Sequence, residues 1–363
     1  MTPGYIGVSN LPSTMESHMR RSLSAMALVA AATLALTGCA GGGEAPAATE
    51  GGGGSGSELE ELISAAQDEG SLVFYLTPPE ATAQQLADAF YDEYGIEAEF
   101  VRMTGGELAA RYSAEVEAGA PAADLVMPSY DEFIDKGLDE GWLTGLDEAD
   151  IPGYDEFPEE GKLADGAVAV VQFAPSGLSW NTEALGDLPA PETFEDLADP
   201  QYEGKLLLTD PSSSQAYIQF WTMVADAYGM ETVEAIAGNA VRLYNSVVPM
   251  TEALGAGEGA VTGPNVGQVV AGAAKSGAPV EFTVPDLTNG PEIVLSLSAD
   301  AQSPNAARLF AHFVLSEAGQ DIINAAPGNI SAYNFDEMPA EYVRIDRDSA
   351  LENEQAILDA FGL

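Results

Sequence analysis

Strand and helix patterns alternate over most of this chain, and the alternation restricts its fold more than any other feature. A compact apolar run at residues 71–76 is followed by a helical pattern at 80–94, a strand at 96–103, a helix at 104–117 and a strand at 124–127. Short strands separated by helices at this spacing predict an α/β fold with a mainly parallel sheet covered on both faces.

The alternation restarts in the second half of the chain. Two strand patterns, at 167–173 and 176–181, separate the first unit from a second one that begins after Gly204. The last third returns to an apolar strand at 292–297 and a helix that begins at Ser303. The inward stripe of that helix consists of Ala306, Leu309, Phe310, Phe313 and Val314. A chain of 363 residues is long enough for two such units, each with its own core.

The composition excludes several kinds of partner. The chain carries 58 acidic and 12 basic residues, a net charge of −46. Nucleic acids are excluded as partners because phosphate contacts need clustered lysine and arginine. Anionic lipid headgroups repel such a chain as well. The single cysteine allows no disulfide within the chain, so its stability must come from core burial.

The first 38 residues have the pattern of an export signal. Arg20 and Arg21 precede an apolar run at 25–36, which is shorter than the ~20 residues that span a bilayer. The sequence Leu36-Thr37-Gly38-Cys39 resembles the bacterial lipobox. That resemblance implies cleavage before Cys39 and a lipid on its thiol, with residues 39–56 as a flexible Gly-rich linker. An ordinary secretory signal with an incidental cysteine is the alternative.

Several segments, in their order and spacing, resemble the type II periplasmic solute-binding proteins of ABC importers. The resemblance is to the branch that includes the ferric-ion-binding proteins, and it covers residues 71–333. The matching segments are ELAARYSAE at 107–115, ADLV at 123–126, GLSWNT at 177–182, YEGK at 202–205, DPS at 210–212 and SPNAA at 303–307 with LSEAGQ at 315–320.

This resemblance implies two α/β lobes joined by two hinge strands, with the ligand in a cleft between them. It assigns residues 57–171 and 290–330 to lobe 1, and 172–289 and 331–363 to lobe 2. The implied function is capture of a small-molecule solute and delivery to an ABC permease with its ATPase. We therefore expect a monomer without a cofactor, held by its lipid at the outer face of the cell membrane.

Polar residues at strand ends are the candidate ligand-binding residues, because ligands of open α/β sheets lie beyond the carboxyl ends of the strands. The candidates are Tyr75, Thr77, Ser129, Tyr130, Trp180, Asn181, Ser212, Ser213, Ser214, Asn245 and Asn265. The three serines precede a helix, where hydroxyls and backbone N–H groups can bind an oxyanion. Each candidate also has a structural alternative: a serine can cap the helix, and the aromatic residues can pack in a core.

The ferric members of the resembled branch carry a tyrosine pair after the strand that here lies at 259–262. This chain has Gly263-Pro264-Asn265-Val266 there and no tyrosine. Ferric ion needs anionic oxygen ligands such as tyrosinate. We therefore expect an organic or oxyanion solute and no metal site, with ferric ion as the alternative ligand.

The sequence argues against an enzyme. Beyond the signal, His312 is the only histidine, so His-dependent hydrolysis has almost no candidate residues. A secreted glycosidase that uses a carboxylate pair stays open as an alternative, as does a surface adhesin, because acidic residues are abundant.

Overall fold

The computed structural model describes residues 55–344 and 347–363. The predicted signal, Cys39 and all of the predicted linker but its last two residues lie outside them. The helices are α1 (Ser55–Glu69), α2 (Glu80–Tyr94), α3 (Gly105–Glu117), α4 (Glu132–Asp139), α5 (Thr182–Leu185), α6 (Gln215–Tyr228), α7 (Met230–Asn239), α8 (Val247–Gly255), α9 (Gly267–Lys275), α10 (Pro304–Leu315), α11 (Glu317–Ile323) and α12 (Arg347–Ala360). No helix in this part of the chain is long and apolar enough to cross a membrane.

The strands alternate with these helices as the sequence predicts. They are β1 (Ser71–Leu76), β2 (Glu97–Arg102), β3 (Leu125–Met127), β4 (Leu143–Thr144), β5 (Lys162–Leu163), β6 (Val168–Phe173), β7 (Ser176–Asn181), β8 (Leu206–Thr209), β9 (Ala240–Tyr244), β10 (Val261–Val266), β11 (Val280–Thr283), β12 (Leu287–Thr288), β13 (Glu292–Ser298) and β14 (Glu341–Tyr342).

The first sheet has the order β2-β1-β3-β13-β6-β5, with β4 beside β13. The strands β1, β2 and β3 are parallel, as predicted. The strand β13 runs antiparallel to β3 and β6, because it returns from the last third of the chain into the middle of this sheet. The sheet is therefore mixed, and the prediction of a mainly parallel sheet holds for its first half only.

The second sheet has the order β11-β7-β10-β8-β9. The strand β8 is parallel to β9 and β10, whereas β7 is antiparallel to β10 and β11. Each sheet therefore has a parallel part built from βαβ units and an antiparallel part. The chain passes from one sheet to the other through strands of the antiparallel parts.

Each sheet has its own hydrophobic core, which defines two lobes. In the first, Phe310 on α10 packs against Phe74 on β1 and Phe90 on α2, with ring centroids 4.8 and 5.0 Å away. The whole predicted stripe of α10 is buried there, which confirms that prediction. In the second, Trp221 on α6 packs against Phe220 and Phe361. We call these units the first and the second lobe.

Two chain segments cross between the lobes side by side. One joins β6 to β7, and the other joins β12 to β13. The Ser176 N–H donates to Asn289 O at 2.7 Å, and the Ala174 N–H donates to Pro291 O at 3.0 Å. The hydroxyl of Thr288 adds a bond of 2.7 Å to Ser176 O. These bonds tie the two crossing segments into one hinge.

Candidate functional site

A cavity of about 220 Å³ lies between the lobes, with the hinge as one wall. Residues of both lobes and of the hinge form its surface. They are Thr77, Pro78, Ser129, Gln172, Ala174, Ser176, Ser214, Ala216, Tyr217, Phe220, Val247, Pro264, Asn265, Val266, Gln268, Asn289, Gly290, Pro291 and Ile293.

Two of the candidate residues, Thr77 and Ser129, enter the cavity from the first lobe. Thr77 follows β1 directly, and Ser129 lies two residues beyond β3. The two strands are parallel neighbours, and the Thr77 N–H donates to Met127 O at 3.1 Å. Their carboxyl ends therefore meet at the same edge of the sheet, where the sequence predicts a ligand.

The serine triplet contributes only one residue to the cavity. Ser214 caps α6, and its Oγ accepts the Ala216 N–H at 3.3 Å. Ser212 and Ser213 bend back instead, because their hydroxyls donate to the Oδ1 and the carbonyl oxygen of Asp210, at 2.6 and 2.7 Å. Ser214 thus caps the helix, as the structural alternative predicted, and also lines the cavity.

Asn265 lines the cavity, but its side chain is already used. It lies within β10, whose pairing with β7 resumes at Asn265 after an irregularity, and not beyond the strand end as predicted. Its Nδ2 donates to Ser179 Oγ at 2.8 Å and to Thr251 Oγ1 at 2.9 Å. We therefore assign the amide of Asn265 to the packing of the second lobe.

The candidate tyrosines lie outside the cavity. Tyr75 is fully buried in the first lobe and donates to Glu115 Oε1 at 2.9 Å. Burial, with this hydrogen bond, raises the pKa of Tyr75 to about 12. Tyr130 donates to Asp135 Oδ1 at 2.8 Å and lines a second, smaller pocket.

The remaining candidates are also placed elsewhere. Trp180 packs against the core of the second lobe. Asn181 caps α5, its Oδ1 accepting two backbone N–H groups at 2.9 Å, and donates to Leu254 O at 2.8 Å. Asn245 is exposed and does not line the cavity. Core packing thus uses the ring of Trp180, and hydrogen bonds use the amide of Asn181. These are the groups that we expected a ligand to contact.

Several lining residues were not among the candidates. Tyr217 lines the cavity at the start of α6. Burial raises the pKa of its phenol, partly offset by a hydrogen bond from the Val247 N–H, so the phenol stays neutral near pH 7. Gln172 is a single polar residue in the apolar run of β6, a signal that could have identified it.

No ionisable carboxylate, lysine, arginine or histidine lines the cavity within the described part of the chain. Three helices of the second lobe, α6, α8 and α9, begin at its surface, with Ala216, Val247 and Gln268 among the lining residues. The helix dipole favours negative charge at a helix start. Of the lining residues there, the Ala216 N–H already donates to Ser214 Oγ and the Val247 N–H to the Tyr217 phenol. The cavity therefore suits an oxyanion that is bound by neutral donors.

A separate arginine cluster joins the two lobes. Arg347, the first residue of α12, pairs with Asp135 of α4 and lies over the Tyr130 ring, 4.2 Å from its centroid. Arg344 pairs with Glu292 at 3.4 Å. Burial raises the pKa of Glu292, while Arg344 and the Tyr342 hydroxyl oppose the shift. Since α12 packs on α6, Arg347 links the second lobe to the first.

Arg347→Ala is expected to lower the free energy of unfolding by about 1–2 kcal/mol, because it removes a half-buried ion pair and a cation–π contact together. Urea unfolding followed by circular dichroism measures this. Arg242→Ala is the matched control: Arg242 also has an acidic partner, Glu258, and a ring, Tyr244, but all three belong to the second lobe. The two charged groups of this pair are more exposed than Arg347 and Asp135. Equal losses in the two variants would contradict a link between the lobes.

Two α/β lobes, crossing strands and a cavity between them define the two-lobed fold of the periplasmic binding proteins. The family described as bacterial extracellular solute-binding protein matches residues 120–351, and the chain belongs to it. Its role is that of the substrate-binding component of an ABC importer, outside the cytoplasm. Proteins of this family serve transport and are not enzymes, so the glycosidase and adhesin alternatives are set aside.

Individual relatives and structures agree on this class. The phosphoglycerate transport regulatory protein PgtC of Salmonella typhimurium is 26% identical over 233 residues, which are 62% of this chain and 57% of PgtC. AfuA of Actinobacillus pleuropneumoniae with fructose-6-phosphate bound has a TM-score of 0.63 at 21% identity, over 80% of this chain and 96% of AfuA. Iron-bound HitA of Pseudomonas aeruginosa has a TM-score of 0.62 at 21% identity, over 81% of this chain and 99% of HitA.

Proposed function

We propose that this protein captures a small organic solute with an oxyanion group and delivers it to its permease. The carrying observation is the cavity itself: three helix starts of the second lobe meet there, and no charged side chain lines it among the described residues. The hydroxyls of Ser129 and Ser214 and the first backbone N–H groups of α9 then provide the donors.

Two similar proteins support this solute class. PgtC is described as a phosphoglycerate transport regulatory protein, and the AfuA structure contains fructose-6-phosphate, so both are connected with phosphorylated organic compounds. The iron-bound HitA structure represents the alternative. Direct ferric binding is disfavoured here, because the lining includes one neutral phenol, Tyr217, and no carboxylate. No group of three or more acidic, His or Cys side chains in the described chain is placed to hold a metal.

A thermal-shift screen tests the proposal with phosphate esters, small carboxylates, neutral sugars, amines and ferric citrate. Oxyanion compounds are expected to raise the melting temperature, since a ligand at 100 times its Kd adds about 2.7 kcal/mol to the stability. Neutral sugars and amines serve as the comparison. A coloured protein with one ferric ion per chain, unaffected by phosphate esters, would show that the solute class is wrong.

We further propose that the mature protein is a monomer held at the membrane by a lipid on Cys39. A Cys39→Ser protein is expected to be released into the medium or periplasm with unchanged solute binding, because the site lies far along the chain from the anchor. Fractionation of cells followed by immunoblotting measures the distribution. Membrane retention of Cys39→Ser equal to that of the wild type would refute the anchor.

A further inference from the structure

Two amide side chains in the hinge wall of the cavity present acceptors. Gln172 on β6 is fully buried, and its Nε2 donates to Ile323 O at 2.7 Å. A carbonyl oxygen can only accept, so this bond fixes the orientation of the amide. The Oε1 of Gln172 consequently has no hydrogen-bond partner among the described residues.

Asn289, between β12 and β13, is the second amide in this wall. Its side chain is 3% exposed, and its Nδ2 donates to Gln219 O at 3.3 Å. None of the hydrogen bonds within residues 55–344 and 347–363 that involve this side chain uses Oδ1. The hinge wall thus carries one buried amide oxygen without a partner, that of Gln172, and a second amide oxygen, that of Asn289, that can also accept.

A bound solute can supply those donors. A buried acceptor without a partner is unfavourable, so a ligand group that donates to it gains affinity that an analogue without the group loses. An ammonium group is a poor fit, because no carboxylate lines the cavity to compensate its charge. A hydroxyl is neutral and donates one hydrogen bond, which matches the amide oxygens.

We propose that the solute is a polyhydroxylated oxyanion, which places its anionic group at the starts of α6, α8 and α9 and donates from hydroxyls to Gln172 and Asn289. This inference rests on the proposed function, since it assumes that the oxyanion occupies the same cavity. It adds hydroxyl groups as a second recognition element beside the oxyanion. A compound with only the anionic group leaves the amide oxygens of Gln172 and Asn289 without donors.

Calorimetric titration with three probes separates the two elements. The probes are glycerol 3-phosphate, which has both groups, propyl phosphate, which lacks the hydroxyls, and glycerol, which lacks the oxyanion. Wild-type protein is expected to bind glycerol 3-phosphate about 30-fold more tightly than propyl phosphate and to bind glycerol least. Gln172→Met is expected to weaken glycerol 3-phosphate binding about tenfold and to change propyl phosphate binding less than about twofold.

Asn324→Leu is the matched control. Asn324 also has a buried amide oxygen without a partner and donates to Val171 O at 3.0 Å, but it does not line the cavity. Its variant is expected to keep the wild-type preference for glycerol 3-phosphate. Equal wild-type affinity for the two phosphate esters would overturn the hydroxyl inference and leave the oxyanion proposal standing. Binding of glycerol as tight as that of glycerol 3-phosphate would overturn the oxyanion proposal, and failure of both esters to bind would overturn both.

Discussion

Ala216→Trp is expected to abolish solute binding in a protein that stays folded. Ala216 is half-buried at the start of α6 and lines the cavity. An indole there occupies much of a cavity of about 220 Å³ and covers the start of the helix. We expect at least about 100-fold weaker binding of glycerol 3-phosphate. Because the ring enters existing space, the free energy of unfolding should change by less than about 1 kcal/mol.

Calorimetry and urea unfolding measure the two quantities in the same preparation. Gln215→Trp is the control, since Gln215 is the preceding residue of α6 but is exposed and does not line the cavity. It should keep the wild-type affinity. Tight binding by Ala216→Trp would mean that the solute binds somewhere else.

Gly290→Ala is expected to cost about 3 kcal/mol of stability, because the two crossing segments of the hinge touch at this residue. A Cβ on Gly290 would lie 2.1 Å from Ala174 O and 2.9 Å from Pro175 Cα. Both are backbone atoms of the other segment, so neither can move away as a side chain could. Urea unfolding measures the loss.

Gly272→Ala is the control for this substitution. Gly272 lies within α9, and a Cβ there meets no atom within 4 Å. Alanine is the better helix former, so this variant should gain about 0.5–1 kcal/mol. A Gly290→Ala protein as stable as the wild type would contradict the close contact in the hinge.

Local patterns were sufficient to predict α2, α3 and α10, several strands and part of the site. Thr77 and Ser129 could be found because β1 and β3 are short, apolar and separated by helices, which brings their carboxyl ends together. The absence of tyrosine from Gly263-Pro264-Asn265-Val266 could be read directly as well. These inferences depend only on neighbours in the chain and on the rules for parallel strands.

The rest of the site depends on contacts between distant segments. Gln172 and Asn289 meet the cavity because β6 and β13 pair across more than a hundred residues of chain, which no local pattern reveals. Tyr217 lines the cavity because α6 begins there, where the two lobes meet, and the sequence of the helix alone does not show that meeting. In the serine triplet, three hydroxyls look equivalent in the sequence, but those of Ser212 and Ser213 donate to Asp210 and only Ser214 lines the cavity.

Backbone amide NMR spectra recorded with and without saturating glycerol 3-phosphate test the central claim most directly. The account predicts that the largest shifts occur at the starts of α6, α8 and α9, including Ala216, Val247 and Gln268, with smaller changes at Arg344 and Arg347. Those two arginines are the nearest alternative for an anion, because they line a second, smaller pocket of about 70 Å³. Shifts concentrated at the arginines, with the three helix starts unchanged, would contradict the account.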